Sequence, residues 1–252
     1  MAERKQEEFC LVDLWAAEAY LTALDARAEN LLEMLNKGIK IHQWMQDQTK
    51  EKFPDGAKNY SYKDAKQSVH ALNYGIRPPQ MSVVSGLPIN ICEWQFNLYH
   101  TKFPGIKLRQ ARIKQRLIHD RFLVSLLGKK RYFLGPLNDE LYKQAYAWPS
   151  QSCIGELTII ALSKVYAIGD AKNLAAKLGK DLNVPWCYPA LNTHDGLAIR
   201  CWQGEREAVR AVVKDAFDIP LTVDGETIVI PVEIGWGANF QDISGEEVIR
   251  YE

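Results

Sequence analysis

The sequence predicts an α+β fold, with short strands near both ends of the chain enclosing a long helical middle. Three observations carry this. Phe9 to Leu14 is a short apolar run of strand character. From Ala16 to Leu127 apolar residues recur mostly at helical spacing. Beyond Ala190 alternation takes over, with Leu197, Ile199 and Cys201 interleaved with Ala198, Arg200 and Trp202. The chain has 252 residues, 47% of them apolar, enough for one large or two small domains with a real core.

The first strand ends at an acid, Asp13. A helix follows in which Tyr20, Leu21, Leu24, Ala28, Leu31, Leu32 and Leu35 recur, and Gly38 ends it. Lys52 to Ser61 reads as loop. The next helix runs from Asp64 to Gly75, and Gly75 with Pro78-Pro79 stops it. Residues four apart stack on one helix face, so Tyr62, Lys66, His70 and Tyr74 form a polar-aromatic row. Ala65, Val69, Leu72 and Ile76 form a separate stripe that can bury. Such a row suits either an ordinary surface helix or a nucleotide cradle, with lysine on phosphate and rings on base and sugar.

Residues 84–127 read as mostly helical, punctuated by Pro88 and Pro104-Gly105. Between Lys107 and Arg131 the cations Lys107, Arg109, Arg112, Lys114, Arg116, Arg121, Lys129, Lys130 and Arg131 face a single acid, Asp120. This is either a solvated helix face or a track for a phosphate backbone. Gly128 to Leu137 is a basic turn region, and Ser150 to Val165 an apolar helix. Ala190 to Trp202 reads as strand, turn, strand, with Asp195-Gly196 at the turn. Glu205 to Phe217 is an amphipathic helix, and Thr227 to Trp236 supplies further strand.

No run of eighteen apolar residues occurs and the N-terminus is charged, so neither a membrane span nor a signal peptide is expected. The 5 cysteines show no paired spacing, which argues against a disulfide framework or zinc site and for a reducing compartment. Asp13 and Asp195 each suit a turn or helix cap. If their strands pair in one sheet, the carboxylates converge into a platform for divalent metal, and magnesium prefers such oxygen ligands.

In order along the chain, these pieces resemble the motifs of family A DNA polymerases. Leu11-Val12-Asp13 followed by Glu18 is similar to the first motif, Lys66 through Tyr74-Gly75 to the second, and Thr193-His194-Asp195 to the third. Gly38-Ile39-Lys40-Ile41-His42, Leu127-Gly128-Lys129-Lys130-Arg131-Tyr132, Trp148-Pro149-Ser150-Gln151 and Ile230-Pro231-Val232-Glu233 resemble connecting elements of the family. The resemblance implies a right-hand polymerase: a palm of antiparallel sheet with an inserted helical fingers subdomain and no thumb. It divides the chain into a palm strand at 1–18, fingers at 19–135 and palm at 136–252.

By that resemblance Asp13 and Asp195 hold two Mg2+ ions, and Lys66 binds the triphosphate of an incoming dNTP. His42 contacts its phosphates, and Tyr74 packs near the nascent base pair. Glu18 is a steric gate against a ribose 2′-hydroxyl. Gln151 and His194 line the primer terminus, and Lys129 and Arg131 lie toward the DNA primer-template. The chain departs from the pattern in four places. Tyr62 stands where an arginine usually contacts triphosphate, with Lys63 as a substitute. His70 replaces a Phe or Tyr beside the sugar, Gly196 replaces an acid, and Trp15-Ala16-Ala17 replaces the Ser-Gln of motif one. Thumb, proofreading exonuclease and upstream palm strands have no counterpart. The implied protein is one part of a split polymerase, whose partner chain carries the thumb and possibly the exonuclease. Its expected location is the cytoplasm of a bacterial or phage-infected cell, or an organelle, away from membranes. A single-subunit RNA polymerase relative and a non-catalytic DNA-binding remnant are the alternatives.

Overall fold

Strand β1 (Glu7–Leu14) alternates buried and open positions along its whole length, as a strand covered mainly on one face must. The computed structural model describes residues 6–251. After β1 come helices α1 (Ala17–Ala26), α2 (Glu29–Asn36), α3 (Ile41–Lys52), α4 (Tyr62–Asn73), α5 (Pro78–Ser85), α6 (Ile89–Lys102) and α7 (Pro104–His119). A hairpin of β2 (Phe122–Val124) and β3 (Lys130–Tyr132) leads to the long helix α8 (Asp139–Lys177). Strands β4 (Cys187–Asn192) and β5 (Gly196–Trp202), helix α9 (Arg206–Phe217), and strands β6 (Leu221–Val223), β7 (Glu226–Ile228), β8 (Val232–Gly237) and β9 (Ser244–Ile249) complete the fold. The chain forms two compact units, one of β1 with the residues from Cys153 onward, the other Glu18–Ser152.

The sheet unit is built on five antiparallel strands in the order β4-β5-β1-β8-β9. β1 therefore lies in the middle, although it comes first in the chain. Cys10, Val12 and Leu14 from β1, Leu197, Ile199 and Cys201 from β5, and Val232 and Ile234 from β8 are all buried. So are Val209, Val213, Ala216 and Phe217 of α9, which gives this amphipathic helix its apolar partner. Glu8, only 3% exposed, sits among these apolar residues. Arg206 neutralises it with a two-pronged contact, Nε at 3.0 Å and Nη2 at 2.6 Å from the carboxylate.

The helical unit packs around a cluster of Ile113, Leu117, Leu123, Phe133, Ala145, Tyr146 and Trp148. Residues 136–152, which the sequence reading assigns to the palm, belong here because Ala145, Tyr146 and Trp148 fill that cluster. Two further differences concern element type. Phe122–Val124 is a strand, not helix, because it pairs with Lys130–Tyr132. Helix α8 begins well before Ser150 and carries Pro149 inside it. By length and composition α8 could cross a bilayer. Its Ala145, Tyr146 and Trp148 are nonetheless buried in one unit, and Cys153, Leu157, Ala161 and Val165 in the other. The five cysteines are buried free thiols.

The basic segment resolves into individual partnerships. Arg109 is 1% exposed; its Nε bonds Asp25 of α1 and its Nη2 bonds the Tyr146 carbonyl of α8 at 2.9 Å. Arg112 reaches the other oxygen of Asp25, and Arg116 pairs with Asp120. Lys107, Lys114 and Lys130 lie over the rings of Phe96, Tyr142 and Phe122. Arg109→Ala leaves a largely buried carboxylate and a carbonyl without their main donor and is expected to cost about 3 kcal/mol of stability. Arg112→Ala, at a half-exposed guanidinium, is expected to cost no more than about 1 kcal/mol. Urea unfolding of the two variants measures the contrast.

Candidate functional site

Helix α4 starts with a reciprocal cap. The Ser61 hydroxyl accepts from the Asp64 amide at 3.2 Å, and the Asp64 carboxylate accepts from the Ser61 amide at 2.9 Å. It ends where Gly75 adopts φ 80°, a left-handed conformation that glycine tolerates best. Ala65, Val69 and Leu72 are buried beneath it, and the row beside them runs from exposed Tyr62 and Lys66 to half-buried His70 and Tyr74, with Tyr74 packing against the hydrophobic cluster.

Other elements of the same unit bring groups to this row. His42 from α3 lies with its ring 6.0 Å from Tyr62, edge-on, and 5.1 Å from His70. The rings of His70 and Tyr74 stack at 6.3 Å. Glu18 from α1 accepts a hydrogen bond from the Tyr74 hydroxyl, and His70 Nδ1 lies 3.0 Å from the same carboxylate oxygen, Oε1. Gln151 from α8 donates its Nε2 to the Tyr74 hydroxyl at 3.3 Å. Lys63 and Lys66 are exposed at the start of the row.

The surroundings set the protonation of these groups. Burial works to raise the Glu18 carboxyl, but the bond and charge of His70, helped by Tyr74 and His42, hold it below the usual range. Burial, then the Glu18 charge, pushes the Tyr74 phenol well up. Burial also drives His42 down to about 3, with His70 and Lys66 acting in the same direction. At neutral pH His42 is thus an uncharged ring, with one N–H to donate. Beyond Tyr74 opens a cavity of about 330 Å³, lined by Arg77, Phe96, Lys107, Lys114 and Tyr142 among others.

In the sheet unit, Asp13 is exposed near the end of β1 and pairs in register with Gly196 on one side and Glu233 on the other. His194 and Asp195, both exposed, occupy the short connection from β4 to β5. The Leu14 amide bonds the Asp195 carbonyl at 2.9 Å, which ties this connection to β1. Gly196 is required here: a Cβ on it would lie 2.0 Å from the Val12 carbonyl oxygen. No larger side chain has room at this position in this backbone.

Two carboxylates from neighbouring positions of one sheet suit magnesium, which binds through one or two carboxylates and takes its other oxygens from water and substrate phosphates. Among the described residues no group of three His, Cys, Asp or Glu side chains forms a metal cage. The donor set fits an ion completed by substrate rather than a closed structural site.

Glu18, His42, Lys66, His70, Tyr74 and Gln151 therefore belong to one unit, and Asp13, His194 and Asp195 to the other. Lys129 and Arg131 are exposed on the β2–β3 hairpin region, with the Arg131 guanidinium 4.8 Å over Phe133. Sequence reasoning missed the contact of His70 with Glu18 and the burial of Arg109. The second was marked: Ile106, Arg109, Ile113 and Leu117 fall on one helical stripe.

The sequence profile of DNA polymerase family A matches residues 1–242. The DNA polymerase I proteins of Mycobacterium bovis and Mycobacterium tuberculosis are each 22% identical over 220 residues, covering 84% of this chain and 23% of their own length. A solved structure, the POL domain of Pol1 from M. smegmatis in complex with DNA primer-template and dNTP, superposes with a TM-score of 0.72 at 20% identity. That match covers 94% of this chain and 40% of the solved one.

Gly196→Ala forces β1 and β5 apart and is expected to cost about 2 kcal/mol or more, read by chemical denaturation. For His42, whose folded value of about 3 lies below its ordinary 6.5, the unfolded chain binds more protons between those limits. Stability should therefore fall as pH drops through that window. His42→Gln should flatten the loss, as urea midpoints of the two proteins at pH 7 and pH 5 will show.

Proposed function

The chain belongs to DNA polymerase family A, and on that premise we propose that it carries the palm and fingers chemistry of template-directed DNA synthesis. The observation that carries the proposal is the outer row of α4, where Lys66, His70 and Tyr74 stand in line with Glu18 tied to the last two. A deoxynucleoside triphosphate fits this row by its chemistry. Lys66 and Lys63 supply charge to the phosphates, and neutral His42 supplies an N–H. Tyr74 offers a ring to the nascent pair, with Gln151 on its hydroxyl. Glu18 stands as a wall beneath the sugar, favouring deoxyribose. The cavity beyond Tyr74, with its cations and aromatic rings, suits an unpaired nucleotide of single-stranded DNA.

In the reaction, the primer 3′-hydroxyl attacks the α-phosphate, a P–O bond forms and pyrophosphate leaves. Asp13 and Asp195 would hold two magnesium ions, which when bound favour the attacking oxygen and neutralise charge on the leaving one. The protein's own part is positioning and electrostatic stabilisation. Asp13 and Asp195 contribute fixed negative charge where the end of β1 meets the β4–β5 connection, and His194, next to Asp195, is assigned to the primer terminus. The exposed cations Lys129 and Arg131 are assigned to the phosphate backbone of primer-template.

The chain spans about a quarter of the curated relatives' length, 23%. The reading includes a partner chain that carries the thumb and possibly the exonuclease and grips duplex DNA. Primer extension with magnesium, with and without a thumb-bearing polypeptide, tests the reading. The expected outcome is template-directed addition of deoxynucleotides, reduced about 100-fold or more by Asp195→Asn or Asp13→Asn. Absence of incorporation in both settings would refute it.

A further inference from the structure

We propose that His70 is a positioning residue for Glu18, so that sugar selection depends on a carboxylate clamped from two sides by one helix. The inference rests on the nucleotide reading above. A glutamate held by one donor keeps freedom about its last torsion, which is broad and roughly two-fold. Here two side chains of the α4 row, one helical turn apart, meet the same oxygen, one through a hydrogen bond and the other through a close N···O contact. The Tyr74 hydroxyl bonds Oε1, and His70 Nδ1 lies 3.0 Å from it. Both side chains of the second contact are largely shielded, at 24% and 19% exposure, so water competes weakly for it.

His70 is itself held in place. Its ring lies between His42 at 5.1 Å and Tyr74 at 6.3 Å, which fixes the direction from which Nδ1 approaches. Among the described contacts both side chains reach Oε1, leaving Oε2 as the oxygen available to a sugar. A carboxylate that cannot swing away excludes an added 2′-hydroxyl more strictly than one on a single tether. Where an unsubstituted phenyl ring stands at this position, a second tether cannot form.

The geometry also states which substitution restores the function. The contacting atom is Nδ1, close to the backbone, so an asparagine amide can reach the same place. Phenylalanine keeps the ring and its stacking but removes the donor.

The test measures equilibrium binding of dATP and ATP to the chain together with the thumb-bearing polypeptide and magnesium. The primer-template ends in a dideoxynucleotide and has thymine as templating base, so binding is read without turnover. The wild-type chain should prefer dATP. His70→Phe should narrow that preference about tenfold, chiefly by tighter ATP binding, and His70→Asn should restore most of it. An unchanged preference in His70→Phe, or no restoration by His70→Asn, overturns the proposal. Equal binding of dATP and ATP by the wild type overturns the clamp alone, whereas absence of binding to either overturns the nucleotide reading on which it stands.

Discussion

Two adjacent residues of α7 hold the helical unit to one geometry. Arg109 joins α1 through Asp25 and α8 through the Tyr146 carbonyl. Gln110 donates to the Leu72 and Asn73 carbonyls at the end of α4, at 2.9 and 3.0 Å. The three helices tied in this way are those that carry Glu18, Gln151 and the His70–Tyr74 pair. A guanidinium withdrawn from water is costly unless its partners are well aligned. That cost makes other arrangements of the three helices unfavourable, because each would strand the charge. The side chains of the nucleotide row meet at hydrogen-bond distance because their backbones are fixed from beneath.

In the sheet unit close backbone approach adds to the buried Glu8–Arg206 pair. β1 is hydrogen-bonded on both sides, and β5 comes so near that Gly196 leaves no space for a side chain. Glycine at this position is thus set by the fold, because any side chain would disrupt the strand contact. Negative charge at this end of the strands comes from Asp13 and Asp195, with Glu233 in register on β8. A donor set of this kind relies on substrate oxygens to complete a cation's shell. It is therefore better suited to binding metal together with nucleotide than to holding metal alone.

Most elements were legible because they follow simple periods. Leu197, Ile199 and Cys201 are buried as their alternation implies, although Ala198 between them is buried as well, and the helical recurrence of Val209, Val213 and Ala216 holds residue for residue. The reading of α8 was shorter than the helix, since Pro149 resembles a start signal. A proline removes only one amide, and the burial of Ala145, Tyr146 and Trp148 carries the helix through. The β2 strand was read as helix because three residues are too few to show a period. In the site, the α4 row was readable from four-residue spacing, whereas its contacts were not. Which carboxylate meets His70 depends on α1 lying across α4, and sequence separation gives no hint of a bond spanning from residue 18 to residue 70. Arg109 was hidden by its type, because arginine is rarely fully buried.

The departures at Tyr62 and His70 are best understood together. Both rings contact His42, one edge-on at 6.0 Å and the other at 5.1 Å. An arginine in place of Tyr62 would add a cation beside a histidine that already has Lys66 and Lys40 near it, and would leave the ring without its wall. The aromatic alternative packs against His42 and leaves it uncharged. His42 in turn supports His70, whose Nδ1 reaches Glu18. The result is a file of rings ending at a carboxylate held by the Tyr74 hydroxyl. Residues that look like separate losses when read singly form one continuous packing, in which each ring fixes the next.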